Sequence, residues 1–75
     1  MDLRIGVTDH PREIAIQLPD DADRDAVRTA IDQALKGEVP TLWLTDDKGK
    51  EVGVAAAKIS FVELGPEGGN PIGFG

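Results

Sequence analysis

Hydrophobic residues recur along this chain in a set order of periods: two alternating runs, one helical run, then three more alternating runs. Leu3, Ile5 and Val7 alternate with polar or small residues, and Ile14, Ile16 and Leu18 repeat the pattern after a short turn. Val27, Ala30, Ile31, Ala34 and Leu35 fall at the spacing of a helix face. Leu42 and Leu44, Val52 and Val54, and Val62 and Leu64 then return to alternation. Alternation puts every second side chain on one face of a strand, whereas helical spacing gathers side chains into one stripe. The order ββαβββ therefore predicts an α+β fold of two layers, with one helix packed on one face of a mostly antiparallel sheet.

The punctuation between these runs sets the boundaries. Residues 1–18 form a β-hairpin, closed by Thr8-Asp9-His10-Pro11, where Asp bonds nearby backbone and Pro presets φ. So short a connection makes the pair antiparallel. Pro19 ends the second strand. Asp20, Asp21 and Asp23 crowd the start of a helix over 23–36, where carboxylates cap free amides and meet the positive end of the dipole. Asp23 is the preferred N-cap and Asp21 the second choice. Lys36 sits at the negative end, Gly37 suits the left-handed C′ position, and Pro40 prevents continuation. Residues 41–64 carry three strands: Thr41 to Thr45, Lys50 to about Ala55, and Lys58 to Leu64. Asp46-Asp47-Lys48-Gly49 turns between the first two, and Ala55-Ala56-Ala57 marks a bend or bulge before the third. Residues 65–75 are rich in Gly and Pro and form either a tail or a short sixth strand, since Ile72 and Phe74 alternate.

A hairpin, one helix, a second hairpin and a closing strand resemble the β-grasp arrangement of ubiquitin-like and sulfur-carrier domains. Another two-layer sandwich with a different strand order stays open. A more specific likeness covers nearly the whole chain. The opening Leu3-Arg4-Ile5-Gly6-Val7-Thr8-Asp9-His10-Pro11-Arg12-Glu13, the stretch Leu42-Trp43-Leu44-Thr45-Asp46-Asp47-Lys48-Gly49-Lys50, then Ala57-Lys58-Ile59-Ser60-Phe61-Val62-Glu63-Leu64-Gly65 and Gly73-Phe74-Gly75 occur in that order. Together they resemble a family of small actinobacterial proteins known as domain of unknown function 3107. The chain departs from the family at its alanine- and aspartate-rich helix and at Gly68-Gly69-Asn70-Pro71. The resemblance implies a single cytosolic actinobacterial domain and brings no activity, catalytic residue or cofactor with it.

Size and composition narrow the classes of function. With 75 residues there is room for one domain. A chain this short buries roughly 60% of its unfolded surface and reaches a stability of about 5 kcal/mol. The absence of cysteine removes disulfides, thiolate metal sites and cysteine nucleophiles, and fits a reducing cytosol. No apolar stretch approaches a membrane span and Met1-Asp2 opens no signal peptide, so the expectation is a soluble cytoplasmic protein. Eight basic residues scattered among fourteen acidic ones, a net charge of -6, argue against nucleic acid and anionic membrane as partners.

Chemistry-bearing groups are sparse. His10 beside Asp9 is a base-and-orienter pair in outline, with only Thr8 nearby, and an exposed turn residue explains it better. Asp20, Asp21 and Asp23 lack the spacing of a calcium loop, and capping accounts for them. Gly65-Pro66-Glu67-Gly68-Gly69 lacks the Gly-Lys-Ser/Thr ending of a phosphate loop and precedes no helix. No catalytic residue, metal site, cofactor or small-molecule ligand is expected. A carrier or protein modifier acting through its Gly-rich C-terminus is the alternative reading, but Phe74 between Gly73 and Gly75 would obstruct the narrow tunnel such a terminus must thread.

An interaction surface is the stronger expectation. One helix covers one face of a sheet. If Leu42, Leu44, Val62 and Leu64 face it, then Trp43, Ile59 and Phe61 project from the other side, with Arg4 and Thr45 as rim residues. Ile72 and Phe74 join that patch or fold over it. An open Trp–Phe surface marks contact with a protein partner or a second copy of the chain.

Overall fold

The computed structural model of the chain describes residues 1–66. The order is β1 (Asp2–Val7), β2 (Ile14–Gln17), α1 (Arg24–Leu35), β3 (Thr41–Thr45), β4 (Glu51–Ala55), a 3₁₀ turn (Ala56–Lys58) and β5 (Ile59–Leu64). This is the ββαβββ order of the hydrophobic pattern; the sixth strand considered for residues 65–75 falls largely outside the described residues. No helix among the described residues is long and apolar enough to cross a membrane.

Every strand pair is antiparallel, and the pairs form two groups: a three-stranded sheet in the order β2-β1-β5, and a β3-β4 hairpin. The sequence left the strand order open, because period two identifies faces and not neighbours. The 3₁₀ turn is the bend foreseen at Ala55-Ala56-Ala57; it carries the chain from the hairpin to the three-stranded sheet. The amide of Ala56 donates to the Pro40 carbonyl at 2.9 Å. At the hairpin's other end, the amide of Asp47 donates to the Gln17 carbonyl at 2.8 Å, tying the β3–β4 turn to β2.

Side chains from both strand groups and the helix meet in one core of Leu3, Ile5, Ile16, Leu18, Ile31, Ala34, Leu42, Leu44, Val54 and Ala56. Leu3, Ile5 and Leu42 are its most completely buried large side chains. Burying an aliphatic side chain of this size contributes about 1.5–3 kcal/mol, a large share for each in so small a domain.

The helix ends follow from their own residues. Asp23 holds an extended backbone, and its Oδ1 accepts from the Ala26 amide at 3.1 Å. At the other end Gly37 takes φ +76. Its amide donates to Ala34 at 3.1 Å and the Glu38 amide to Gln33 at 2.8 Å, the paired bonds of a Schellman motif.

Turn chemistry takes up the residues just before β2 and β4 and so sets where each strand begins. Before β2, the His10 amide donates to Val7 at 3.1 Å, and Asp9 takes a left-handed φ of 64. Before β4, the carboxylate of Asp46 accepts from the amides of Lys48 at 2.9 Å and Lys50 at 2.8 Å, with Gly49 at φ +84.

Asp23→Ala is expected to cost about 1 kcal/mol, a fall of roughly 4–8 °C in thermal midpoint; an unchanged midpoint would pass the capping role to Asp21. The backbone amide of Lys50, and to a lesser degree that of Lys48, holds the Asp46 carboxyl below its ordinary value. The lowered folded value makes the Asp46 contribution complete above the ordinary carboxyl range and lost as pH falls through the folded value. The stability gap between the wild type and Asp46→Ala should therefore narrow on acidification from about pH 5 to pH 3. Chemical denaturation across that range measures it.

Candidate interaction surface

Parity on β3 sends Leu42 and Leu44 into the core and Trp43 outward, where the indole is 66% exposed. Trp43 lies opposite Gly53 of β4. A Cβ on Gly53 would stand 2.8 Å from Cη2 and Cζ3 of Trp43, so the indole lies flat over the bare backbone. Glycine at this position creates the platform, since any side chain would lift the ring away. The same register puts Thr41 opposite Ala55 and Thr45 opposite Glu51, so the ring sits among small and polar neighbours on the outer face.

The second aromatic repeats the device on the other strand group. Phe61 of β5 lies opposite Gly6 of β1, and a Cβ on Gly6 would collide with Cε2, Cδ2 and Cζ of the ring. Phe61 is 41% exposed, while Gly6 beneath it is buried. Beside this pair, Arg4 spans the outer face: its Nη1 lies 4.0 Å from Glu13 Oε1 and 3.8 Å from Glu63 Oε1. Exposed pairs of this length contribute at most a fraction of a kcal/mol each, about 0.2–1. The outer face of the three-stranded sheet is thus a charged lattice with one aromatic set in it.

The expected patch is not one continuous surface of a single sheet. Trp43 belongs to the β3-β4 hairpin and Phe61 to the three-stranded sheet, and among the described residues no strand pairing joins them. Arg4 shares its face with Phe61, and Thr45 shares its face with Trp43. Ile59 departs from the expectation. β5 carries one extra residue, Ser60, between Phe61 opposite Gly6 and Ile59 opposite Val7. A bulge of one residue reverses parity beyond it. Ile59 therefore turns with Val7 toward the core and packs against it. Ile72 and Phe74 lie outside the described residues.

A third exposed apolar side chain belongs to the stripe that helical spacing predicts for the core. Leu35 is 48% exposed. It follows Arg24, Arg28 and Ile31 along the flank of α1 that faces β5, and these residues with Asp32, Val62 and Leu64 line a groove of about 220 Å³. Leu35 lies at one edge of the apolar stripe, where cover depends on what packs beside the helix and not on the helical period.

His10 and Thr8 are each engaged by neighbouring residues of the fold. Nδ1 of His10 lies 2.7 Å from the Arg12 carbonyl, which holds the ring within its own turn. Thr8 Oγ1 instead meets Ser60 Oγ at 3.3 Å. Among the described residues, no three His, Asp or Glu side chains converge as a metal site.

Fold and surface together define a one-helix α+β domain with two glycine-seated aromatics on its outer faces. The chain belongs to the family described as "Protein of unknown function (DUF3107)", whose model it matches over residues 1–75. No curated protein matches it.

Gly6→Ala is expected to destabilise by about 1–3 kcal/mol as Phe61 is forced off its seat. In a Phe61→Ala background the same change should lose most of that cost, giving a coupling energy of roughly 0.5–3 kcal/mol in a double-mutant cycle. Additive losses would mean that the ring does not rest on Gly6.

Proposed function

We propose that this chain is a small non-enzymatic binding module, in the cytoplasm, that holds a protein partner or a second copy through the outer face around Trp43. The observation that carries this reading is the indole itself, 66% exposed on a strand whose neighbouring residues are buried. An unpaired tryptophan on a soluble surface loses apolar burial that a core position would supply, at about 25 cal/mol per Å². Seated over Gly53, the ring presents a flat apolar face at little entropic cost on docking, which is the property that enriches tryptophan at binding hot spots. Thr41, Thr45 and Glu51 supply polar neighbours of the kind found at an interface rim.

Trp43→Ala tests this directly. The variant should keep its thermal midpoint to within a few degrees, because the lost ring is mostly solvated. It should lose partner capture in affinity purification from the native host, or lose dimer in sedimentation equilibrium. Identical capture and sedimentation for variant and wild type would overturn the proposal.

A further inference from the structure

We propose that the groove between α1 and β5 receives an extended peptide strand bearing alternate apolar side chains and an acidic residue, which adds to the sheet along the β5 edge. This surface lies on different elements from Trp43, and the inference is independent of the role given to that residue.

The backbone phase of β5 carries the first part. In an antiparallel pair, residues alternate between those whose N–H and C=O bond the partner and those whose groups point away. The Gly65 amide donates to the Asp2 carbonyl at 2.7 Å, and the Thr8 amide to the Lys58 carbonyl at 2.7 Å. On the other side of β1, the Leu18 amide donates to Met1 at 2.9 Å. Even-numbered residues of β1 thus bond β5, and odd-numbered ones bond β2. Val62 and Leu64 lie opposite Ile5 and Leu3, so their own amides and carbonyls point to the outer edge of β5. Among the described residues no strand pairs with that edge. The opposite edge of the sheet is different: the outward carbonyl of Gln17 on β2 is taken by Asp47.

The groove supplies the second part. Val62 and Leu64 also direct their side chains to the helix side, where Ile31 and the 48% exposed Leu35 complete an apolar floor. Arg24 and Arg28 stand on this flank with Asp32 as the lone carboxylate, a locally basic strip on a chain of net charge -6. Arg24 Nη1 donates to the Gly65 carbonyl at 2.6 Å. Arg28 makes no ion pair among the described residues and is placed to meet an incoming carboxylate. Main-chain bonds along an edge give affinity and side-chain pockets give selection in this mode of recognition.

The test is an amide-resolved titration of the full chain with the synthetic peptide acetyl-Thr-Val-Thr-Val-Glu-Val-amide, and with its counterpart carrying Lys for Glu. The glutamate peptide should shift the Val62 and Leu64 amides most and slow their hydrogen exchange at least roughly 10-fold at saturation. Arg28→Glu, at an exposed site, should weaken the glutamate peptide about 10-fold and favour the lysine peptide. Leu35→Lys should weaken both peptides while leaving the thermal midpoint unchanged. Three results would overturn the proposal. One is no saturable binding of either peptide. Another is Val62 and Leu64 amides already protected in the free chain as strongly as that of Ile5, which would give the edge to another segment of the chain or to a second copy. The last is a response centred on Trp43 that Arg28→Glu leaves unchanged.

Discussion

The whole structure turns on the alternation of β1, the one strand among the described residues that is bonded along both edges. In an antiparallel sheet a single parity governs two directions at once: which face a side chain takes and which edge its backbone groups serve. Leu3 and Ile5 point into the core and bond toward β2, while Asp2, Arg4 and Gly6 point outward and bond toward β5. The partner strands inherit this coupling. Val62 and Leu64 must then face the helix and turn their backbone groups to the sheet's outer edge, which no strand among the described residues pairs with. The charged lattice around Arg4, the seat for Phe61 and the groove beneath α1 all descend from that one register.

Glycine on the outer faces adds a second theme. Gly6 and Gly53 each lie directly across from an aromatic ring that occupies the volume a Cβ would need. A glycine within a strand loses cross-strand packing, and an aromatic laid over it recovers part of that loss. The two seats differ in outcome. Phe61 is half covered and protects a buried Gly6, so it reads mainly as a sheet-stabilising residue. Trp43 remains open over an exposed Gly53, and its area exceeds what covering one glycine requires.

Much of the chain was legible from residue order because the determining interactions are local. Asp23 caps the helix at the place its neighbours indicated, Gly37 ends it with a left-handed φ, and Asp46 and Gly49 organise the second hairpin turn. Trp43 projects away from Leu42 and Leu44 for the same reason, since parity within one unbroken strand needs no tertiary information. Ile59 shows where such reasoning stops. The bulge at Ser60 belongs to the pairing of β5 with β1, two segments far apart in the chain. Leu35 fails for a related reason, because burial on a helix flank depends on whether a strand lies beyond β5.

By itself, then, the sequence determined the kinds of element, their order, their ends and the face of each unbroken strand, all of which depend on contacts within a few residues. Only the tertiary structure decided that the strands divide into β2-β1-β5 and β3-β4, and that Trp43 and Phe61 occupy separate groups. It alone left the β5 edge, among the described residues, unpaired beside two arginines. Strand neighbours are chosen by which distant apolar faces can close over one core, and that competition is not written in any local period.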